Sequence, residues 1–375
     1  MNQSKFDDIR PYQEEEIPAA MQRIARSEVF PLLASFVYPD EPVEAVRQRV
    51  AGFTTTCELQ TDTMSRANEQ IIRRSISEFT CHGLEHIDPA RHYLYVSNHR
   101  DIMLDASLLQ YFFVQNGMDT TEITFGANLM MNPVVVDIGK ANKMFRVERP
   151  GGNIKEFYES SLHLSEYIRY VITEKGQSVW IAQRNGRTKD GRDATDQGII
   201  KMFGMSATTD KVSAMAQLNI VPVAVSYEWE SCDILKALEL YESQNHKYTK
   251  KPGEDLNSIL TGILQYKGRV HFQICKPIEL SELARFEHQT NNEYHQSVAR
   301  LIDSRINHAY QLFPNHFIAH DLLYGNNRYH DRYTPEQKEA FVRRLARLDQ
   351  YEQTCDIERL RDIFLSIYAN PVDNR

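Results

Sequence analysis

The residues best placed for chemistry lie in Tyr93-Leu-Tyr-Val-Ser-Asn98-His99-Arg100-Asp101-Ile-Met-Leu-Asp105. An apolar run ends at Val96, and a polar Ser97-Asn98-His99 turn leads into the apolar-periodic stretch Ile102 to Val114. This predicts a strand-to-helix junction with His99 exposed at a sheet edge. Asp101 and Asp105 are four residues apart and share one face of a helix. Either could hydrogen-bond the imidazole, fix its tautomer and stabilise the imidazolium, as a general base for an alcohol requires. Carboxylates in a first helical turn also suit the macrodipole. His99-Arg100-Asp101 matches the H-R-D of a kinase catalytic loop. The Asn which that loop needs is Ala106 here, and Asp-Phe-Gly and a glycine-rich phosphate loop are both missing from the sequence.

Two basic stretches follow. Lys143-Met-Phe145-Arg146-Val147-Glu148-Arg149 reads as a short strand ending in cations, and Pro150-Gly151-Gly152 as the turn that leaves it. Trp180-Ile-Ala-Gln183-Arg184-Asn185-Gly186-Arg187-Thr188-Lys189-Asp-Gly191-Arg192 reads as a buried strand opening into a basic, glycine-containing loop. In an acidic chain these cations reverse the local sign, and guanidinium forks with backbone N–H groups suit phosphate. His316-Phe-Ile-Ala-His320 spaces two imidazoles as a zinc site would, but lacks the Glu of H-E-x-x-H and a third ligand beyond Asp321; no metal is expected.

The elements that must position these residues follow from periodicity. Tyr12 to Arg26 and Met64 to Phe79 read as amphipathic helices, so the region 1–87 is expected to be helical. Between 88 and 278, short β-type runs alternate with helices: Tyr93–Val96, Glu122–Phe125, Met144–Val147, Ser178–Ala182, Ile220–Tyr227 and Arg269–Cys275. Ile154 to Ile172 is the clearest helix, with Ile154, Phe157, Leu164, Ile168 and Val171 on one face. The expected class is α/β, a central mostly parallel sheet covered by helices, with a helical C-terminal region at 279–375. The apolar run Val29–Val37 is expected to bury against the α/β core rather than lie in a membrane interface.

The composition sets outer limits. With 375 residues, 42% hydrophobic and 25% charged, the chain is an ordinary globular one. A net charge of −8 argues against a duplex-DNA binder, and no nucleic-acid partner is expected. The longest stretch free of Asp, Glu, Lys and Arg is Val212 to Tyr227, too short to span a bilayer and interrupted by Pro222. The first residues lack the apolar core of a secretory signal. The five cysteines are dispersed, without a C-x-x-C pair, so reduced thiols and a cytoplasmic location are expected.

Taken in order, the four blocks resemble the glycerolipid acyltransferase superfamily, the glycerol-3-phosphate and 1-acylglycerol-3-phosphate acyltransferases, and more narrowly a bacterial branch of it. The N-H-x-x-x-x-D block is matched by Asn98, His99 and an Asp; the F-I-x-R strand by Phe145, Val147 and Arg149. E-G-x-R is matched by Asn185, Gly186, Arg187 and Thr188, and the apolar strand around proline by Pro222. A late G/K-P-I motif is matched by Lys276, Pro277 and Ile278.

The resemblance implies an O-acyltransferase of phospholipid synthesis. His99 would be the general base with Asp105 as its orienter and Asp101 as competitor. Arg149 and Arg187 would hold the acceptor phosphate, with Phe145, Asn185, Gly186, Thr188 and Pro222 completing the substrate site. The donor would be acyl-CoA or acyl-carrier protein, and the acceptor a glycerol phosphate or lysophospholipid. No cofactor is implied, and contact with the cytoplasmic membrane face would be peripheral. An acyl-cysteine route is disfavoured because no Cys adjoins the four blocks. Two departures matter: His99 and Asp105 enclose five residues where the family has four, and Asn185 stands where Glu is common. They motivate two alternatives: a lipid- or carrier-binding relative with reduced activity, and an acyl-thioester hydrolase.

Overall fold

Alternation along the strand Leu94–Ser97 sends Leu94 and Val96 to one face and Tyr93 and Tyr95 to the other. Both faces are buried, as in a central strand of a covered α/β sheet. The computed structural model describes residues 3–130, 132–148, 153–244 and 248–375. Among them one sheet has seven strands: β1 Ile76–His82, β2 Leu94–Ser97, β3 Glu122–Gly126, β4 Met144–Val147, β5 Val179–Ala182, β6 Ile220–Tyr227 and β7 Gly268–Ile274. Their order is β1-β7-β6-β2-β5-β3-β4, and every pairing is parallel except β6 with β7. The expected mostly parallel sheet is present.

One apolar cluster covers each face of the sheet. A third joins the helices Ile17–Arg26, Phe30–Val37 and Val43–Ala51, and a fourth joins Asp233–Glu242 to the C-terminal helices Pro314–Leu323, Pro335–Leu345 and Ile357–Asp373. No helix among the described residues is long and apolar enough to cross a membrane.

Three expectations change. The segment 64–79 is not one helix: Ser65–Ser75 is helical, and Ile76–His82 is the edge strand β1 on β7. Apolar spacing in Ile71, Ile72, Ile76 and Phe79 imitates a helix, but a half-exposed edge strand alternates only weakly, and Phe79 packs edge-on against Phe272. The face proposed for Ile154–Ile172 is buried only at its far end. Ile168 and Val171 are in the core, whereas Ile154 is 87% exposed and Phe157 60%. The run Val29–Val37 forms the helix Phe30–Val37, which buries Phe30, Ala34 and Val37 in the N-terminal helical cluster rather than on the sheet, while Leu32 stays 75% exposed.

In open α/β sheets ligands bind beyond the carboxyl ends of the strands. The segments that follow β2, β5 and β6 meet at that end. Because β7 runs antiparallel to β6, the helix Glu254–Leu264 that precedes it lies there too.

Candidate active site

His99 follows β2, at the middle of the sheet. It is mostly buried rather than exposed, its side chain only 14% accessible. Its Nδ1 lies 2.9 Å from Asp105 Oδ2. The carboxylate accepts, so Nδ1 is the donor of this bond and Nε2 is the ring nitrogen left free of it. Asp105 is fully buried and held by four donors. Oδ2 also accepts from the backbone N–H of Arg100 (2.6 Å) and Asp101 (2.9 Å), and Oδ1 accepts from the Tyr227 hydroxyl (2.8 Å). Burial and Asp105 together push the Tyr227 phenol well above its ordinary pKa, so Tyr227 stays a donor.

Asp101 has another role. Its Oδ1 accepts from the N–H groups of Met103 and Leu104, both at 2.9 Å, which caps the helix Leu104–Gln115; Oδ2 accepts from the Ser231 hydroxyl. The structure therefore brings His99 together with Asp105, and Asp101 with the helix start.

The loop that carries His99 is pinned from below. Asn98 Nδ2 donates to Val225 O and Asp193 Oδ2, both at 3.0 Å, and Asn98 Oδ1 accepts from Val225 N at 2.7 Å. Arg100 turns into the core, where its guanidinium meets Asp193 (2.6 Å) and Glu230 (3.1 Å). Lys236 donates to Glu230 and to Arg100 O, both at 2.6 Å. Two buried cations thus face two buried anions, a set costly to break singly.

The basic loop after β5 reaches the same place. Thr188 N–H donates to His99 O at 2.7 Å. Arg187 Nη2 donates to Ser258 Oγ at 3.0 Å, whereas Arg187 Nη1 and Thr188 Oγ1 are buried without a partner among the described residues. Burial acts to lower the Arg187 pKa, but Cys232 and Asp101 outweigh it and the value stands raised, so the guanidinium stays charged. Trp180 meets the His99 ring edge-on at 6.0 Å, and its indole N–H has no partner among the described residues.

Other expected site residues lie elsewhere. Phe145 is fully buried against Tyr167, in the core on one face of the sheet. Pro222 sits within β6 opposite Val96, where it lines the sheet and not the site. Asn185 and Gly186 are on the outer part of the loop, and Asn185 is exposed. Arg149 and the turn 150–152 lie outside the described residues. The local reversal of sign is smaller than expected, since Lys143 pairs with Asp119, Arg146 with Glu148 and Lys189 with Glu239. His316 and His320 do not form a pair of ligands: His316 bonds Tyr310 and Phe313, and no group of three potential metal ligands occurs among the described residues.

Sequence reading missed what covers the site. The helix Glu254–Leu264 sets Ser258 against Arg187 and Gly262 against Asp101, where any Cβ would collide with the Asp101 carboxylate. The signal was two small residues four apart in a helix whose leucines, Leu256, Leu260 and Leu264, repeat on another face. Cys232 was also missed; contrary to the expectation that no thiol adjoins the motifs, it interacts with Arg187 and Asp101. It is fully buried, donates to Ser258 O at 3.2 Å, and burial pushes its pKa up, so it is a poor nucleophile.

An apolar cavity of about 220 Å³ lies next to the junction. Met103, Leu104 and Ile263, the chain neighbours of the site, form one wall, and Phe30, Ala34, Val46 and Ala67 of the N-terminal helices form the other.

A largely buried His99–Asp105 pair and the unpartnered donors Arg187 Nη1 and Thr188 Oγ1 thus meet beyond the strand ends of an α/β sheet. Residues 78–226 match the family model described as Acyltransferase. No curated protein matches the chain. A solved structure similar to it in part is that of the 1-acyl-sn-glycerophosphate (LPA) acyltransferase PlsC from Thermotoga maritima, at 12% identity and a TM-score of 0.37, covering 79% of this chain and 98% of that one.

Proposed function

We propose that this acyltransferase moves a fatty acyl group from a thioester to the hydroxyl of a phosphate-bearing glycerol acceptor, glycerol phosphate or lysophosphatidate, in phospholipid synthesis. His99 Nε2 takes the hydroxyl proton as the oxygen attacks the thioester carbon, a contribution of roughly 10²–10⁴ in rate. Asp105 holds the ring and stabilises the imidazolium, and Tyr227 holds Asp105. The tetrahedral intermediate then collapses, the carbon–sulfur bond breaks, and the thiol leaves with the proton held by His99.

The observation that carries this reading is the pair of buried, unpartnered donors beside His99, Arg187 Nη1 and Thr188 Oγ1. Leaving such a group unpaired costs about 1–3 kcal/mol, more for a charge. Phosphate oxygens would satisfy both and hold the acceptor hydroxyl near the base. The cavity behind Met103 and Leu104 suits the acyl chain, since its walls are almost wholly aliphatic and aromatic. The protein would meet its lipid at the cytoplasmic membrane face without spanning it, and neither a metal nor an organic cofactor is needed for these steps.

Radiolabelled palmitoyl-CoA, given with and without lysophosphatidate, tests the reading. Label in phosphatidate that depends on acceptor supports it; free fatty acid at the same rate with or without acceptor would mean hydrolysis, and no product would mean inert binding.

A further inference from the structure

The helix Glu254–Leu264 separates the site from a groove of about 880 Å³. Its inner face carries Ser258 and Gly262, packed on Arg187 and Asp101. Its outer face exposes Leu260 and Leu264, one turn apart, and Leu264 is 67% accessible. These leucines and Tyr266 form one wall of the groove. The opposite wall comes from the helix Pro335–Leu345 and its continuation, which present Arg343 and Arg347, also one turn apart. Arg344 between them is committed: its Nε donates to Asp233 at 3.0 Å. Arg343 pairs only with Glu339 on its own exposed face, a contact worth little, and Arg347 forms no ion pair among the described residues.

A concave surface with two apolar anchors on one side and two available guanidinium groups on the other has the geometry of helix-in-groove recognition. In a chain of net charge −8 this wall is locally cationic, which selects an acidic partner. A flat membrane would touch only the rims of such a groove. We propose that the groove docks an acidic amphipathic helix of a partner protein, the protein that carries the acyl thioester on a flexible arm. This rests on the acyl-transfer reading and decides its donor. The groove and the site share one helix as a wall, so the docked partner lies about one helix diameter, roughly 10 Å, from Asp101. A thioester arm longer than that reaches His99 around the helix.

The test uses the full chain with palmitoyl-loaded acyl carrier protein. Calorimetric binding is expected, with affinity reduced at least about 10-fold by Arg343→Glu together with Arg347→Glu, and likewise by Leu260→Asp. The KM for carrier-protein donor should rise in parallel, while the KM for palmitoyl-CoA moves less than about twofold. Absence of binding would overturn the proposal, as would equal effects on both donors. Loss of anionic-vesicle binding or of self-association in these variants, with carrier-protein binding intact, would also overturn it by assigning the groove to a membrane or a second copy. Carrier-protein binding that the variants abolish, in a protein that transfers acyl groups from neither donor, would uphold the groove and sink the acyl-transfer reading.

Discussion

His99 and Asp105 are separated by five residues, yet the imidazole Nδ1 and the carboxylate Oδ2 are 2.9 Å apart. In a continuous helix one extra residue would rotate Asp105 by about 100°. The helix begins only at Leu104, and the intervening loop absorbs the residue by turning Arg100 into the core against Asp193 and Glu230. The N–H groups of Arg100 and Asp101 then point at the same carboxylate oxygen as the imidazole.

Asp105→Asn should therefore lower kcat by about 10²–10⁴, because an amide keeps the shape and loses the charge that stabilises the imidazolium. Asp101→Asn should act mainly on stability, by about 1 kcal/mol, since it weakens a helix cap. Measuring kcat and Tm for both separates the roles. If Asp101→Asn proves the more damaging to kcat, the assignment of Asp105 is wrong.

Arg187→Ala should raise the acceptor KM by about 10- to 100-fold, the equivalent of a charged hydrogen bond of about 1.5–3 kcal/mol. The donor KM should stay within about twofold. A change confined to the donor would place the phosphate elsewhere.

Filling the apolar cavity should shorten the preferred acyl chain. Ala67 lines it opposite Met103 and Leu104, so Ala67→Phe takes space from the chain and not from the acceptor. The ratio of activities on long- and short-chain thioesters should fall, with the acceptor KM steady. An unchanged ratio would mean that the chain lies elsewhere.

Acid should destabilise the fold through His316. Burial, with Arg100 adding to it, pushes this imidazole from its ordinary 6.5 down to about 3, and burial with His82 takes His271 down to about 4. Between those values and 6.5 the unfolded chain binds protons that the folded chain does not. Stability is thus fully present above pH 6.5 and is lost as pH falls. One such group contributes a slope of up to about 1.4 kcal/mol per pH unit. His316→Gln should flatten urea-unfolding free energy between pH 6.5 and 4.5 by about that amount; parallel slopes in the two proteins would refute it.

Much of this was legible in the sequence, and for physical reasons. The six strands between 93 and 275 are short apolar runs bounded by turns, and β2 with its Asn-His turn marks the site because a strand end must hand a polar residue to the helix that follows. The edge strand β1 was hidden since its spacing imitates the helix before it. Tyr227, Ser231, Ser258 and Gly262 come from segments more than 100 residues beyond His99, brought together by the antiparallel return of β7, and no local pattern announces such pairings. Phe145 and Pro222, drawn from family blocks, shape the sheet, so a motif position and a contact with substrate are different things.

The central claim is that His99 is the base of an acyl transfer, and His99→Ala tests it most directly. Initial rates of phosphatidate formation from palmitoyl-CoA and lysophosphatidate should fall at least about 100-fold, in a variant whose circular dichroism and Tm match those of the parent. Turnover at the parental rate in that folded variant would contradict it.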